Sequence, residues 1–277
     1  MEEKRYLDHT FVICAYKESI YLRDCIESIV KQTVKSNIII TTSTPTQYVL
    51  DLGEEYGIEV MISQKEKLGI KGDFNFGLSC AKTQYVTLVH QDDLYDKNYL
   101  ERVMEILDDG LIICFTDYAE YRDGEIISKN KVLKVKRFLL TPLKYKIFYK
   151  NKFVRRRVLS MGNSICNPTV TYNKFNLKED VFDEKSDMFI EDWEAWERLS
   201  KQKGKFVFVP CQLVSHRIHE ESLTTQVIGD NTRDREDFIM FCKFWPNWIA
   251  KILIKLYQKS QSSNNIQPRK EKILIEK

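Results

Sequence analysis

The chain lacks the marks of several protein classes. Across its 277 residues no apolar run approaches the roughly 18–20 that a membrane-spanning helix needs. The opening MEEKRYLDHT has no basic-then-apolar signal pattern. Seven cysteines (Cys14, Cys25, Cys80, Cys114, Cys166, Cys211 and Cys242) include no close pair, and their number is odd. They read as reduced thiols packed as small hydrophobes, against a disulfide frame or a zinc site. The expected location is therefore cytoplasmic. Three glycine signatures are also missing. No G-x-G-x-x-G follows the first apolar run, which argues against a dinucleotide dehydrogenase. There is no G-x-x-x-x-G-K-[ST] phosphate loop, and no G-x-S-x-G nucleophile elbow.

Acid is absent from one long stretch. Lys129 to Arg157 holds twelve Lys/Arg and no Asp or Glu, so the net +3 of the chain leaves about −9 for everything else. Such a block faces solvent or a negatively charged partner. Phe138, Leu139, Leu140, Tyr145, Phe148, Tyr149 and Phe153 are interleaved with it, which suits an anionic membrane surface and a peripheral placement on its inner face. No nucleic-acid reading motif accompanies the charge, so no nucleic acid is expected.

With 43% hydrophobic and 30% charged residues, the chain can build one large α/β domain. FVICAY (Phe11–Tyr16), NIIITT (Asn37–Thr42), Glu59–Ser63, YVTLV (Tyr85–Val89) and LIICF (Leu111–Phe115) read as buried strands. Helical spacing lies between them. Thr44–Pro45 reads as an N-cap with proline at the first helical position, and Gly57 as that helix's end. Asp96 can cap the helix through Leu100, Val103 and Leu107. Strands 20–30 residues apart, with helices between, imply a mainly parallel sheet covered on both faces. After Asp117 the rhythm breaks. A helix over about Ile190–Lys201, a strand Phe206–Pro210 and an amphipathic helix Phe238–Tyr257 follow.

Ligands of open parallel sheets bind at the carboxyl ends of the strands. Ala15-Tyr16-Lys17-Glu18 leaves strand one there, and His90-Gln91-Asp92-Asp93 leaves strand four. Adjacent carboxylates repel each other and call for a cation; their hard oxygens suit Mg²⁺ or Mn²⁺. The same pair also suits a solvated turn. Glu191-Asp192 opens a helix, where the dipole favours acids, or else supplies a general base. His216-Arg217-Ile218-His219 follows a strand and can clamp a diphosphate and a metal, although single histidines are commonly structural.

Together these landmarks resemble glycosyltransferase family 2, the inverting enzymes of the GT-A fold, over roughly residues 10–225. FVICAYKE is similar to the family's opening strand and nucleotide-binding turn. YVTLVHQDD resembles the strand ending in its D-x-D-D metal motif. IEDWEAW resembles the E-D motif with the catalytic base, and HRIHEESLT the R-x-H-x-x-S segment. The resemblance implies a GT-A domain over 1–225, its nucleotide part about 1–117 and its acceptor part about 118–225, and a helical extension and polar tail over 226–277. It implies Asp192 as base with Glu191 in support, and Asp92 and His219 (or His216) as ligands of Mn²⁺ or Mg²⁺. Donor contacts would come from Ala15, Tyr16, Glu18, Ser43, Asp73, His90, Gln91, Asp93 and Arg217. The donor would be a nucleotide sugar, a UDP-sugar first, and the acceptor a glycan or lipid-linked hydroxyl in surface polysaccharide or glycoconjugate synthesis.

The chain departs from the pattern in three places. His90 stands at the first acidic position of the metal motif. Thr41-Thr42-Ser43-Thr44-Pro45 lacks the acid that meets the base, a role Asp73 could take from a neighbouring loop. Phe74 occupies the place of an arginine. Two rival readings are a nucleotidyltransferase on a similar scaffold, and a lipid- or RNA-binding protein on a degenerate transferase domain.

Overall fold

A computed structural model describes residues 5–65, 68–219 and 232–262. A single mixed sheet runs through it. In chain order the strands are β1 (Arg5–Ala15), β2 (Lys35–Thr42), β3 (Glu59–Ile62), β4 (Tyr85–His90), β5 (Leu94–Tyr95), β6 (Leu111–Arg122), β7 (Glu125–Ile127), β8 (Val170–Asn173) and β9 (Lys205–Arg217). They lie in the order β3-β2-β1-β4-β8-β6-β9-β5, with β7 paired to β6. The pairs β3–β2, β2–β1, β1–β4 and β6–β9 are parallel. β8 enters antiparallel between β4 and β6, and the short β5 and β7 pair antiparallel with β9 and β6, so the sheet is mainly parallel, as expected, with three reversed strands.

Alternation along the strands sorts the core into two layers. Val12, Val86, Leu88 and Phe115 face one side with Phe74, Trp193, Trp196 and Phe241. Phe11, Ile13, Val89 and Cys114 face the other with Leu22, Ile26, Leu52 and Leu100. The helices α1 (Leu22–Val30), α2 (Gln47–Tyr56) and α4 (Tyr99–Met104) cover the second face. The first is covered by α3 (Gly69–Cys80), α6 (Lys152–Leu159), α7 (Glu191–Ser200), α8 (Thr232–Cys242) and α9 (Asn247–Ser262). Between β7 and α6 lie α5 (Lys131–Leu140) and two short 3-10 turns.

Several local expectations shift. The cap of α2 is Thr46, whose side chain accepts from Val49 N, so Pro45 precedes the helix; Gly57 closes it in the left-handed region at φ 63°. The α4 helix is preceded by Asn98, and Asp96 accepts from the Asn98 backbone two residues earlier. The expected helix Phe238–Tyr257 is two helices, broken around Pro246, which has no N–H to continue α8. Most consequential, β6 and β9 run well beyond the five residues expected of each. At Pro210–Cys211 the parallel register shifts from Thr116↔Val209 to Asp117↔Gln212, because proline cannot donate to the ladder. Past that bulge β9 continues to Arg217 and pairs with β5 (Leu94↔Ser215), the strand that follows Asp93 directly. The register therefore sets His216 and Arg217 beside the acidic turn.

A polar chain crosses the core at the opposite end of β1. Ser36 Oγ donates to the His9 carbonyl (2.6 Å), so His9 Nδ1–H donates to Ser36 (2.8 Å). Thr87 then donates to Nε2 (2.9 Å) and lies 2.6 Å from Thr171. Burial lowers the His9 pKa to about 3 from an ordinary 6.5. The unfolded chain takes up a proton below about 6.5 that the folded ring refuses until about 3, so stability is lost as pH falls across that window. The loss is on the order of 5 kcal/mol at about 1.4 kcal/mol per unit. Urea unfolding at neutral and acidic pH should show a clearly shallower loss in His9→Gln; an identical loss in the variant would refute the assignment.

Candidate active site

Three loops meet at the carboxyl edge of β1, β2 and β4. Gln91 clamps the turn after β1 from both sides: Tyr16 N–H donates to its Oε1 (2.9 Å), and its Nε2 donates to the Tyr16 carbonyl (3.2 Å). Lys17 sits at φ 54° and donates its N–H to Thr44 Oγ1 (2.6 Å). A non-glycine residue held there is strained, and such strain persists where the surroundings fix it. Tyr16 and Lys17 are thus held toward the ends of β4 and β2, and Glu18 follows them, exposed.

Asp73 arrives from α3. Gly77, one turn later, lets the helix lie close on the sheet, since a Cβ there would stand 3.1 Å from Val12 and 3.3 Å from Cys14 and Thr41. This places Asp73 at Ser43, whose hydroxyl bonds the carboxylate, while burial acts more strongly and raises the carboxyl's pKa. Asp73 Oδ1 is buried with no hydrogen-bond partner. Ser43 and Asp73, separated by 30 residues, form one small polar site. Phe74 stacks on His90 (4.9 Å between centroids, 14° between planes).

The acidic turn is built more fully than its residues alone suggested. Asp93 is fully buried; its Oδ1 accepts from Arg217 N–H (2.8 Å) and lies 3.0 Å from His216 Nδ1. Burial opposes charge on His216, but the charge and hydrogen bond of Asp93, helped by Asp92, carry its pKa up to about 9. Asp92 Oδ2 lies 3.0 Å from His219 Nε2. Burial would raise Asp92, yet the His219 hydrogen bond and the nearby His90 and His216 bring it below the ordinary carboxylate value. His90 is lowered by burial, which outweighs the opposing charges of Asp93, Asp92 and Asp192.

Donor atoms of His90, Asp92 and Asp93 lie within 4.8 Å of one another. Asp93 Oδ2 and His90 Nε2 are buried without hydrogen-bond partners. Two carboxylates, one of them with an orphaned buried oxygen, and an imidazole suit a divalent cation. His219 touches Asp92 but is not in this group, whereas His90, expected among donor contacts, converges with the carboxylates. Arg217 is more committed than expected. Its guanidinium lies between Tyr21 (4.3 Å) and Tyr121 (4.7 Å), its Nε donates to the Asp92 carbonyl (2.8 Å), and Asp24 pairs with it (3.3 Å). The continuation from Glu220 to Thr224 lies outside the described residues.

Asp192 is the second residue of α7, its Oδ2 accepting from Asn163 Nδ2 (2.6 Å) and its Oδ1 from Trp193 N–H (2.7 Å). Burial, with Asp192 beside it, pushes Glu191 far above the ordinary carboxylate value. The residue before α7, Ile190, offers no cap. Glu236 of α8 supplies acceptors from outside, binding the N–H of Phe189 (2.9 Å) and Ile190 (3.2 Å). Sequence reasoning missed Asn163 and Glu236. Neither stands in a motif, and only the chain's return in three dimensions brings them to α7.

The family model described as "Glycosyl transferase family 2" matches residues 10–174, more than half of the chain. The chain belongs to glycosyl transferase family 2. Among curated members, it is 25% identical over 144 residues to the minor teichoic acid biosynthesis protein GgaB of Bacillus subtilis, covering 47% of this chain and 16% of GgaB. It is 24% identical over 224 residues to an uncharacterized glycosyltransferase of Rickettsia typhi, covering 79% of this chain and 67% of that one. The chain thus spans a sixth of the first relative and two-thirds of the second. Among solved structures, residues 1–349 of Staphylococcus aureus TarS in complex with UDP-GlcNAc superpose with TM-score 0.63 at 14% identity, over 92% of this chain and 72% of that one. The mannosyltransferase PcManGT of Pyrobaculum calidifontis, in complex with GDP-Man and Mn²⁺, gives 0.58 at 11%, over 94% and 76%. At these identities the likeness establishes the shared GT-A fold of the family.

Proposed function

We propose that this chain is an inverting glycosyltransferase that moves a sugar from a UDP-sugar to an acceptor hydroxyl, in the synthesis of a surface polysaccharide or glycoconjugate. The observation that carries the reading is the His90–Asp92–Asp93 cluster, whose donor atoms converge at the end of β4. The TarS and PcManGT complexes, with their nucleotide sugars, support a nucleotide-sugar donor, and GgaB supports a polymer product.

The nucleoside would lie along the clamped turn 15–18, with Asp73 accepting from the ring N–H of uracil and Ser43 holding Asp73. Asp92 and Asp93, with His90 or His219, would hold Mn²⁺ or Mg²⁺, which when bound offsets the negative charge of the diphosphate. Asp192 takes the proton of the acceptor hydroxyl. The freed oxygen bonds to the anomeric carbon as the bond from that carbon to the diphosphate oxygen breaks, and UDP leaves with the electron pair. One displacement gives one inversion. Asn163 and Trp193 N–H fix the carboxylate's orientation for that proton transfer.

A thermal-shift panel tests the reading, since a ligand that binds only the native state raises the midpoint. A UDP-sugar with Mn²⁺ should raise it more than UTP, and RNA should leave it unchanged. A response to UTP with pyrophosphate release would make the protein a nucleotidyltransferase. Silence to every nucleotide would refute the transferase reading.

A further inference from the structure

The basic segment Lys129–Arg157 divides in two when folded. Five of its cations are used internally. Lys136 bonds Tyr118, Arg137 pairs with Asp117, and Arg155 donates to the Gln202 and Gly204 carbonyls. Arg156 pairs with Glu197, and Arg157 lies over Trp245 (4.5 Å). The other seven (Lys129, Lys131, Lys134, Lys144, Lys146, Lys150 and Lys152) are exposed. Large apolar side chains stand out among them, including Phe138 at 76%, Ile147 at 79% and Phe153 at 69% exposure.

A second acid-free stretch packs beside the first. Phe238 to Ser262 carries four lysines and no Asp or Glu. Arg156 donates to the Lys243 carbonyl (3.0 Å), Trp245 Nε1 donates to the Ser160 carbonyl (2.8 Å), and the Tyr257 ring lies against Gly162. On α9, Ala250, Leu253, Ile254 and Tyr257 turn to the core, while Trp248, Ile252 and Leu256 are exposed at spacings of four. Residues four apart share a helix face. The exposed lysines Lys251 and Lys255 flank this outer stripe. A helix apolar on both faces, in a protein with one core, has an outer face without a partner among the described residues.

We propose that the segment from α5 to α6 together with α9 forms a docking surface for an anionic lipid bilayer. Nine exposed lysines with no acid in either segment match anionic headgroups, and the Trp248–Ile252–Leu256 stripe supplies the shallow apolar insertion of an interfacial helix. No helix among the described residues is long and apolar enough to cross a membrane, and this surface binds without crossing. It also reaches the candidate site. Tyr257 of α9 and Phe241 of α8 pack on Trp193 (6.0 and 5.2 Å), the residue after Asp192. The proposal goes beyond the glycosyl-transfer reading and stands or falls without it.

Vesicle flotation of the full chain tests it, comparing phosphatidylcholine alone with phosphatidylcholine carrying about one-third phosphatidylglycerol. Binding should appear on the anionic vesicles and be largely lost in about 0.5 M salt. The triple variant Lys144→Gln/Lys146→Gln/Lys150→Gln should bind about a hundredfold more weakly, from three cations at about 1 kcal/mol each. Trp248→Ser/Ile252→Ser should also weaken binding, and Trp248→Phe should remove fluorescence quenching by brominated lipid. Unchanged melting curves would show that these exposed changes spare the fold. Equal binding to both vesicles, insensitivity to the lysine triple, or binding of duplex RNA with none to vesicles would each overturn the proposal.

Discussion

Asp192→Asn is expected to lower turnover by about 10²–10⁴-fold, the usual worth of a general base, which corresponds to about 3–5 kcal/mol in the barrier. The amide keeps the shape, and its single oxygen can accept from Trp193 N–H, a bond of 2.7 Å in the native protein; its NH2 replaces the oxygen that accepts from Asn163 at 2.6 Å, so the Asn163 amide must turn to present its own oxygen. It cannot take the acceptor's proton. Donor affinity should survive, because in the proposed mechanism the carboxylate meets the acceptor, and calorimetry with UDP and Mn²⁺ checks this. Glu191→Gln makes the contrast. Burial and the Asp192 charge push Glu191 far above the ordinary carboxylate value, and an amide closely mimics a protonated carboxyl, so its loss of turnover should be much smaller. The assignment would be wrong if Asp192→Asn kept near-normal turnover, or lost UDP binding and activity together.

The legible parts of the fold were those governed by local periodicity. β1 to β4, the Gly57 stop and the start of α7 follow from apolar spacing and capping chemistry. The second half was illegible for a physical reason. β8 is four residues long, and its burial comes from insertion between β4 and β6, which no local pattern records. β9 looked finished at Pro210 because proline ends most strands, yet here it makes a bulge and the strand resumes. At the site, adjacent carboxylates announced themselves, and His216 and His219, at and just past the end of β9, did so once paired with them. The partition of roles among His90, His216 and His219 did not, because it depends on the β5–β9 pairing. Asn163 and Glu236 lie 29 and 46–47 residues from their partners at α7, and amide and carboxylate side chains at such distances carry no sequence signal.

Asp92 and Asp93 are adjacent, but their replacement should produce different failures. Asp93 is fully buried and satisfies the Arg217 N–H and His216, whose pKa it helps carry up to about 9. Asp93→Ala would leave the partly exposed His216 without its counter-charge and the Arg217 N–H without its acceptor, and leaving such groups unsatisfied typically costs about 1–3 kcal/mol of stability. Urea unfolding at neutral pH should show that loss before any ligand is added. Asp92 is partly exposed beside His219, and its removal strips an outer carboxylate from the His90–Asp92–Asp93 cluster. Asp92→Ala should fold with near-native stability, while UDP affinity, expected to rise with Mn²⁺ in the native protein, should become indifferent to it. A cation that bridges protein and diphosphate is worth several kcal/mol, so native UDP affinity should drop about a hundredfold or more when chelator replaces Mn²⁺. Titration calorimetry of both proteins, with metal and with chelator, separates the roles. Native UDP affinity that ignores the metal would remove the cation from the site, and an Asp92→Ala protein as unstable as Asp93→Ala would make Asp92 a structural partner of His219.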